Sequence, residues 1–206
     1  CKMYDEQQPN EAWQFWVGAF EPFDPAGREQ IRKRIKPLFE AVKKKYHGLF
    51  KGKEESTLSD RALAFIVSEL ARYDFGRTDV DAKGTAYQEI VGTNLRGDRG
   101  QYFTPRGAIR LVVQMLAPKE HERVLDSSCG TGGFLVETLN YLNKQFQEEK
   151  HIKAGEENTD EFLSVRERLA SYTANRLFGA DFDPFLVRAA QMNVMMASNS
   201  LGHLYH

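Results

Sequence analysis

Asp126-Ser-Ser-Cys-Gly-Thr-Gly-Gly-Phe-Leu sets Gly130, Gly132 and Gly133 behind an acid and ahead of an apolar segment with helical spacing. A turn built on glycines can take positive φ. It can also bring its backbone N–H groups close to a ligand at the positive end of the helix that follows. A polar ligand is therefore expected at this turn. It is not a P-loop, because no Lys-Ser or Lys-Thr follows the glycines, and the spacing G-x-G-x-x-G is only approximated. Cys129 carries a potential nucleophile, but a small residue in a tight loop reads better as packing.

Two further groups flank this turn. Upstream, Gly100-Gln-Tyr-Phe-Thr-Pro-Arg106 offers Thr104 as an N-cap and Pro105 for the first turn of a helix whose apolar stripe would be Ile109, Val112, Val113 and Leu116. Downstream, Leu177-Phe-Gly-Ala-Asp181 reads as a short strand ending in an acid, followed by Asp183-Pro184 and another helix. A carboxylate at the carboxyl end of a second parallel strand is where nucleotide-binding folds hold a ribose diol, because it accepts from both hydroxyls. Together the three groups point to an adenosine-containing cofactor.

On these residues the chain resembles the amino-methylating DNA methyltransferases, and within them the modification subunits of type I restriction-modification systems. Gly100–Arg106 is similar to that family's Phe-x-x-Pro-like cofactor motif, 126–135 to its glycine motif, and 179–184 to its acidic motif, in the order of the adenine-modifying group. The resemblance runs from about Lys83 to the end of the chain. It implies S-adenosylmethionine as cofactor and N6-methyladenine in DNA as product. It also implies DNA, together with the specificity and restriction subunits of a type I complex, as partners. The cofactor would be held by Tyr102, Phe103, Thr104, Pro105, Asp126, Ser128, Gly130, Thr131, Gly132, Asp181 and Phe182. Gly130 and Gly132 would admit the methionine moiety, Asp126 would orient its amino group, and Asp181 would take the ribose hydroxyls.

The family's catalytic Asn/Asp-Pro-Pro-Tyr/Phe tetrapeptide, which holds the adenine amino group of a flipped base, is absent: none of the seven prolines adjoins another. No catalytic residue is therefore expected in this chain. It reads as the cofactor half of a longer protein, beginning at Cys rather than Met and inactive alone. A rival reading is an assembly module that docks a DNA-recognition subunit and carries an idle cofactor fold. A nicotinamide dehydrogenase is disfavoured, because the Phe-Thr-Pro element has no role in one.

Positioning these motifs requires a fold, and 206 residues with 41% hydrophobic and 28% charged residues make an ordinary globular chain of one or two domains. No apolar run near 18 residues and no basic-then-apolar leader is present, so neither a membrane span nor a secretion signal is expected. Two isolated cysteines, Cys1 and Cys129, suit neither a disulfide framework nor a metal site, and favour a reducing cytoplasm.

Residues 1–96 read as a helical domain. Its aromatics, Trp13, Phe15, Trp16, Phe20 and Phe23, are expected in its core rather than on a base-stacking platform. Ile31, Ile35, Leu38, Phe39, Val42 and Tyr46 repeat at helical spacing, with Pro37 leaving open one helix or a pair over residues 26–50. A further helix is expected near Tyr87, Ile90 and Val91, and no strand before Glu122. Ser59-Asp60 should cap a helix through Leu63, Ile66, Val67 and Leu70.

From residue 97 the order helix, strand, helix, helix, strand, helix indicates an α/β, Rossmann-like methyltransferase domain, incomplete here. Its helices are expected at about 133–147 and 160–176. About 55 residues separate Asp126 from Asp181, against roughly 20 in the dinucleotide pattern, so the crossover carries an extra helical insertion. The net charge is −1, but Arg28, Arg32, Lys33, Arg34, Lys36, Lys43, Lys44, Lys45, Lys51 and Lys53 crowd one stretch against Glu29 and Glu40. A solvated helix face is the preferred reading of that run, with DNA phosphates as the alternative.

Overall fold

The computed structural model describes residues 1–8, 12–50, 52–75, 104–152 and 160–206. The chain falls into two compact units, Cys1–Thr78 and Asp79–His206. The boundary expected between residues 96 and 97, the helix expected near Tyr87, and Tyr102 and Phe103 lie outside the described residues.

The first unit holds helices α1 (Lys2–Asp5), α2 (Pro25–Lys45) and α3 (Asp60–Ala71). Asp24 caps α2 by accepting from the Gly27 N–H at 2.9 Å, with Pro25 at the first position. Ser59 caps α3 through the Ala62 N–H, as its position suggests. Ile31, Ile35 and Leu38 of α2 pack with Leu63, Ala64 and Val67 of α3 and with Phe15. Pro37 sits inside α2 without dividing it. The carbonyl it leaves without a donor belongs to Lys33, and Lys33 and Pro37 are both exposed, so water can take the missing bond.

The aromatic expectation needs correction. Phe15 alone of the five is buried, whereas Trp13, Trp16, Phe20 and Phe23 are exposed. Residues 13–23 form no regular element, so no periodicity turns all five rings inward. The Arg34 guanidinium lies 4.1 Å from the Trp16 ring centroid and pairs with Glu21 at 2.7 Å, holding that segment by cation–π and ionic contacts.

The second unit, as described, runs α4 (Arg106–Leu116), β1 (Val124–Asp126), α5 (Gly133–Glu149), α6 (Asp160–Arg176), β2 (Leu177–Ala180), α7 (Pro184–Ser198) and β3 (His203–Tyr205). The strands form one parallel sheet in the order β1-β2-β3. In register, Val124 faces Leu177 and Asp126 faces Gly179, while Phe178 faces His203. Helices form each crossover, as parallel pairing demands. The core joins Leu135, Leu139, Leu142 and Phe146 of α5, Val165 and Leu169 of α6, and Val187, Ala190 and Val194 of α7 to Leu177 and Leu204.

Three details of this unit depart from expectation. β3 was not anticipated, and its three residues are too short for an alternating pattern to register. The helix expected to start at Pro105 under a Thr104 cap starts at Arg106, with Pro105 in the cap position and no side-chain bond closing it. Of the stripe expected on α4, Ile109 and Val113 are buried while Val112 and Leu116 are exposed. Among the described residues, no helix is long and apolar enough to cross a membrane.

Candidate ligand site at the glycine loop

The loop between β1 and α5 is held from three sides. Where β2 ends, the Ala180 carbonyl accepts from the Cys129 N–H at 2.9 Å, and the Asp181 carboxylate accepts from the Gly130 N–H at 2.9 Å. Within the loop, the Gly132 N–H donates to the Cys129 carbonyl at 2.7 Å. From α7, Asn193 donates through Nδ2 to the Thr131 carbonyl at 3.1 Å.

Glycine is required at two positions for different reasons. Gly130 has φ +53° and open space where a Cβ would stand, so only backbone conformation selects it and a ligand can approach. Gly132 has φ +83°, and a Cβ there would meet the Ala190 Cβ at 3.3 Å, so both conformation and helix contact select it. Gly132 also occupies the N-cap of α5 with no side-chain bond to close it, leaving the positive end of a 17-residue helix to backbone donors alone.

Two carboxylates converge on this loop. Asp126 ends β1 and accepts from the Ser128 N–H at 3.1 Å. Burial holds its carboxyl above the ordinary carboxylate range; the Ser128 N–H works against that shift and the Asp181 charge adds to it. Asp181 accepts from Gly130 on one oxygen and from the Asp183 N–H on the other at 3.0 Å. The Cys129 thiol is pushed up to about 12, chiefly by burial and then by the Asp126 and Asp181 charges. The protonated thiol is a poor nucleophile, in keeping with Cys129 as packing. No group of three or more acids, histidines or cysteines that could hold a metal ion occurs among the described residues.

The structure thus brings Asp126, Ser128, Gly130, Thr131, Gly132 and Asp181 together, with Ser128 exposed and Thr131 buried. Phe182, next to Asp181, is 90% exposed and offers a bare aromatic face at the carboxyl end of β2. Thr104 and Pro105 are exposed, ahead of α4. In the second turns of α4 and α5, Arg110 meets Glu137 at 3.3 Å, which sets the N-terminal halves of the two helices side by side. Sequence reasoning missed Asn193. An asparagine flanked by Ala189, Ala190, Val194 and Met195 was the available signal, since a polar side chain on a core face needs a partner.

A parallel sheet with helices in its crossovers and a glycine loop between two acids defines an α/β domain with a candidate ligand site. The chain belongs to the N-6 DNA Methylase family, whose sequence model matches residues 78–203. It is 32% identical over 110 residues to the methylase subunit of the type I restriction enzyme MjaVII of Methanocaldococcus jannaschii, covering 50% of this chain and 19% of that protein. It is 30% identical over 130 residues to the methylase subunit of the type I restriction enzyme EcoKI of Escherichia coli K12, covering 58% of this chain and 24% of that protein. A crystal structure of a modification subunit, attributed to a type I restriction enzyme of Vibrio vulnificus YJ016, superposes with a TM-score of 0.52 at 26% identity. It covers 77% of this chain and 30% of that one. The chain therefore spans between 19% and 30% of the length of these relatives, and the resemblance to type I modification subunits holds.

Proposed function

We propose that this chain is the cofactor-binding part of a DNA adenine-N6 methyltransferase, the modification subunit of a type I restriction-modification system, and that its glycine loop binds S-adenosylmethionine. The observation that carries the reading is the convergence of Asp126 and Asp181 on a loop whose Gly130 is open to approach. Two neighbouring acids with no cation paired to them among the described residues suit a ligand bearing an ammonium and a diol. Each Asp181 oxygen accepts one backbone N–H and keeps lone-pair capacity for a ribose hydroxyl. The uncapped start of α5 suits a carboxylate, and the exposed Phe182 ring suits an adenine face. Phe103, Thr104 and Pro105 would close over the cofactor, with Tyr102 among the residues that hold it.

The parallel order β3-β2-β1 supports reading this unit as one half of a doubly wound, Rossmann-like sheet, and among the described residues the other edge of β1 has no partner. When bound, S-adenosylmethionine supplies an electrophilic sulfonium methyl group. This chain's residues bind and orient it, and the groups that hold the target adenine lie in sequence this chain lacks. DNA and the specificity and restriction subunits are its proposed partners, in the cytoplasm.

Calorimetric titration of S-adenosylmethionine into the chain tests the reading. Saturable binding is expected, with no methyl transfer to mixed-sequence DNA from labelled cofactor. Absence of binding would overturn the cofactor assignment, and reproducible labelling of adenine would overturn the assignment of the chemistry to sequence outside this chain.

A further inference from the structure

We propose that Asn193 of α7 is a positioning residue: by donating to the Thr131 carbonyl it locks the glycine loop in its ligand-binding shape, and so governs cofactor affinity without touching the cofactor. The proposal rests on the cofactor reading above and extends it to a residue outside the loop.

Asn193 has no exposed surface, yet it lies on a helix face that otherwise builds the core with Ala190, Val194 and Ala197. Its Nδ2 reaches Thr131 at 3.1 Å, while its Oδ1 is buried with no hydrogen-bond partner among the described residues. Placing an amide here costs stability on the acceptor side, so for packing alone an apolar side chain would serve better. The donor side addresses the peptide between Thr131 and Gly132, next to one of the loop's two positive-φ glycines. Between Thr131 and Gly132 the peptide plane borders a residue without Cβ at φ +83°, so the plane can rotate at little steric cost. Because the peptide is planar, fixing the Thr131 carbonyl fixes the direction of the Gly132 N–H and the entry of the chain into α5. One end of that plane is held within the loop by the Cys129 carbonyl, the other by Asn193. Ala190, one turn earlier on α7, lies directly under Gly132. α7 thus carries a rest for Gly132 and a latch for Thr131, three residues apart on one face.

Asn193→Leu provides the discriminating test, because it keeps the branching at Cγ and removes the donor together with the acceptor, at the cost of two bulkier methyl groups. The bulkier side chain and the Thr131 carbonyl left without its donor should lower the melting temperature by roughly 2–12 °C, so affinity is compared well below the transition, where both chains are folded. Affinity for S-adenosylmethionine should fall about tenfold or more. Affinity within about twofold of the unaltered chain would overturn the proposal.

Asn193→Asp keeps the shape and adds a pH readout. Its ionised carboxylate cannot donate to a carbonyl and its protonated form can. Its affinity relative to the unaltered chain should therefore recover between about pH 8 and about pH 5.5, and a flat ratio would count against the latch.

Amide hydrogen exchange at residues 129–133 reads the latch with no ligand present. Faster exchange there in Asn193→Leu, with α2 and α3 unchanged, is expected; unchanged loop exchange would refute it whether or not the cofactor binds. If the unaltered chain shows no binding while loop exchange responds to Asn193→Leu, the cofactor reading has failed and the latch stands.

Discussion

Asp181 and Asp183 are two residues apart and do different work. Asp183 accepts from the Phe185 N–H at 2.8 Å and starts α7, as its place before Pro184 suggests. Asp181 faces the glycine loop. In calorimetric titrations, Asp181→Asn should weaken S-adenosylmethionine binding about ten- to a hundredfold, the worth of a charge-assisted hydrogen bond of about 1.5–3 kcal/mol. Asp183→Asn, which keeps a capping oxygen, should leave it nearly unchanged. Equal affinities for Asp181→Asn and the unaltered chain would sink the ribose assignment.

Asp126 brings a pH dependence of its own. Its folded-state carboxyl titrates above the ordinary value of 3.8, so ionisation is harder in the folded than in the unfolded chain. Its effect on ligand-free stability is therefore absent below that value, and stability falls as pH rises through the window up to the raised folded value. A ligand ammonium reverses the preference by pairing with the ionised form. Cofactor affinity should accordingly rise with pH across the same window, and Asp126→Asn should flatten the rise. Titrations between about pH 4 and about pH 7 measure both.

At the scale of elements, the strands are short and their packing is close. β2 passes beneath the loop at Gly179, where a Cβ would stand 2.9 Å from the Leu135 Cδ1 and 3.4 Å from the Cys129 Cβ. Leu135 is fully buried and has little room to yield. Gly179→Ala should cost about 1–3 kcal/mol of overpacking and lower the melting temperature by roughly 2–12 °C. Gly107→Ala should go the other way by about 0.5–1 kcal/mol, because Gly107 is an exposed residue of α4 with open space where its Cβ would stand. Thermal unfolding followed by circular dichroism separates the two. If Gly179→Ala were neutral, β2 and α5 would be less tightly joined than the structure has them.

α6 is anchored by Arg168, which pairs with Glu120 before β1 at 2.5 Å and with Glu149 at the end of α5 at 2.6 Å. Its guanidinium lies 3.9 Å from the Phe146 ring centroid. The long crossover between the two acids is in this way tied back to the sheet it connects.

On the scale of the whole molecule, the basic run of the first unit is largely committed to that unit's own fold. Arg28 donates to the Pro22 and Phe23 carbonyls, Arg32 pairs with Asp60, Lys33 with Glu29 at 2.8 Å, and Arg34 with Glu21. Lys43 is buried, pairing with Glu40 at 2.8 Å and donating to the Glu54 carbonyl at 3.0 Å. Lys36, Lys44 and Lys53 are exposed. This supports the solvated-face reading over phosphate contact. Changing Lys36, Lys44 and Lys53 together to Gln should leave both cofactor affinity and the salt dependence of DNA binding unchanged. A fall of about 2.7 in the slope of log affinity against log salt, about 0.9 for each of three lost contacts, would establish phosphate contact instead.

What the amino-acid sequence determined alone was local. Ser59 and Asp183 as caps, the turn at Gly130 and Gly132, α6 from Asp160 to Arg176, and the strands on either side of that crossover are written in side chains a few residues apart. Capping bonds, backbone sterics and apolar period all act within that range. What only the tertiary structure decided joins residues far apart or depends on which face is covered. The bond from Asp181 to Gly130 spans 51 residues and that from Asn193 to Thr131 spans 62, and no local preference encodes either. β3 exists because its backbone pairs with β2. α2 runs unbroken through Pro37 at a point where Lys33 and Pro37 are both exposed, so water can take the carbonyl that proline orphans. Trp13, Phe20 and Phe23 lie outside the core that α2 and α3 build with Phe15, because they sit on a segment with no regular element to turn them inward, which hydrophobicity along the chain does not encode.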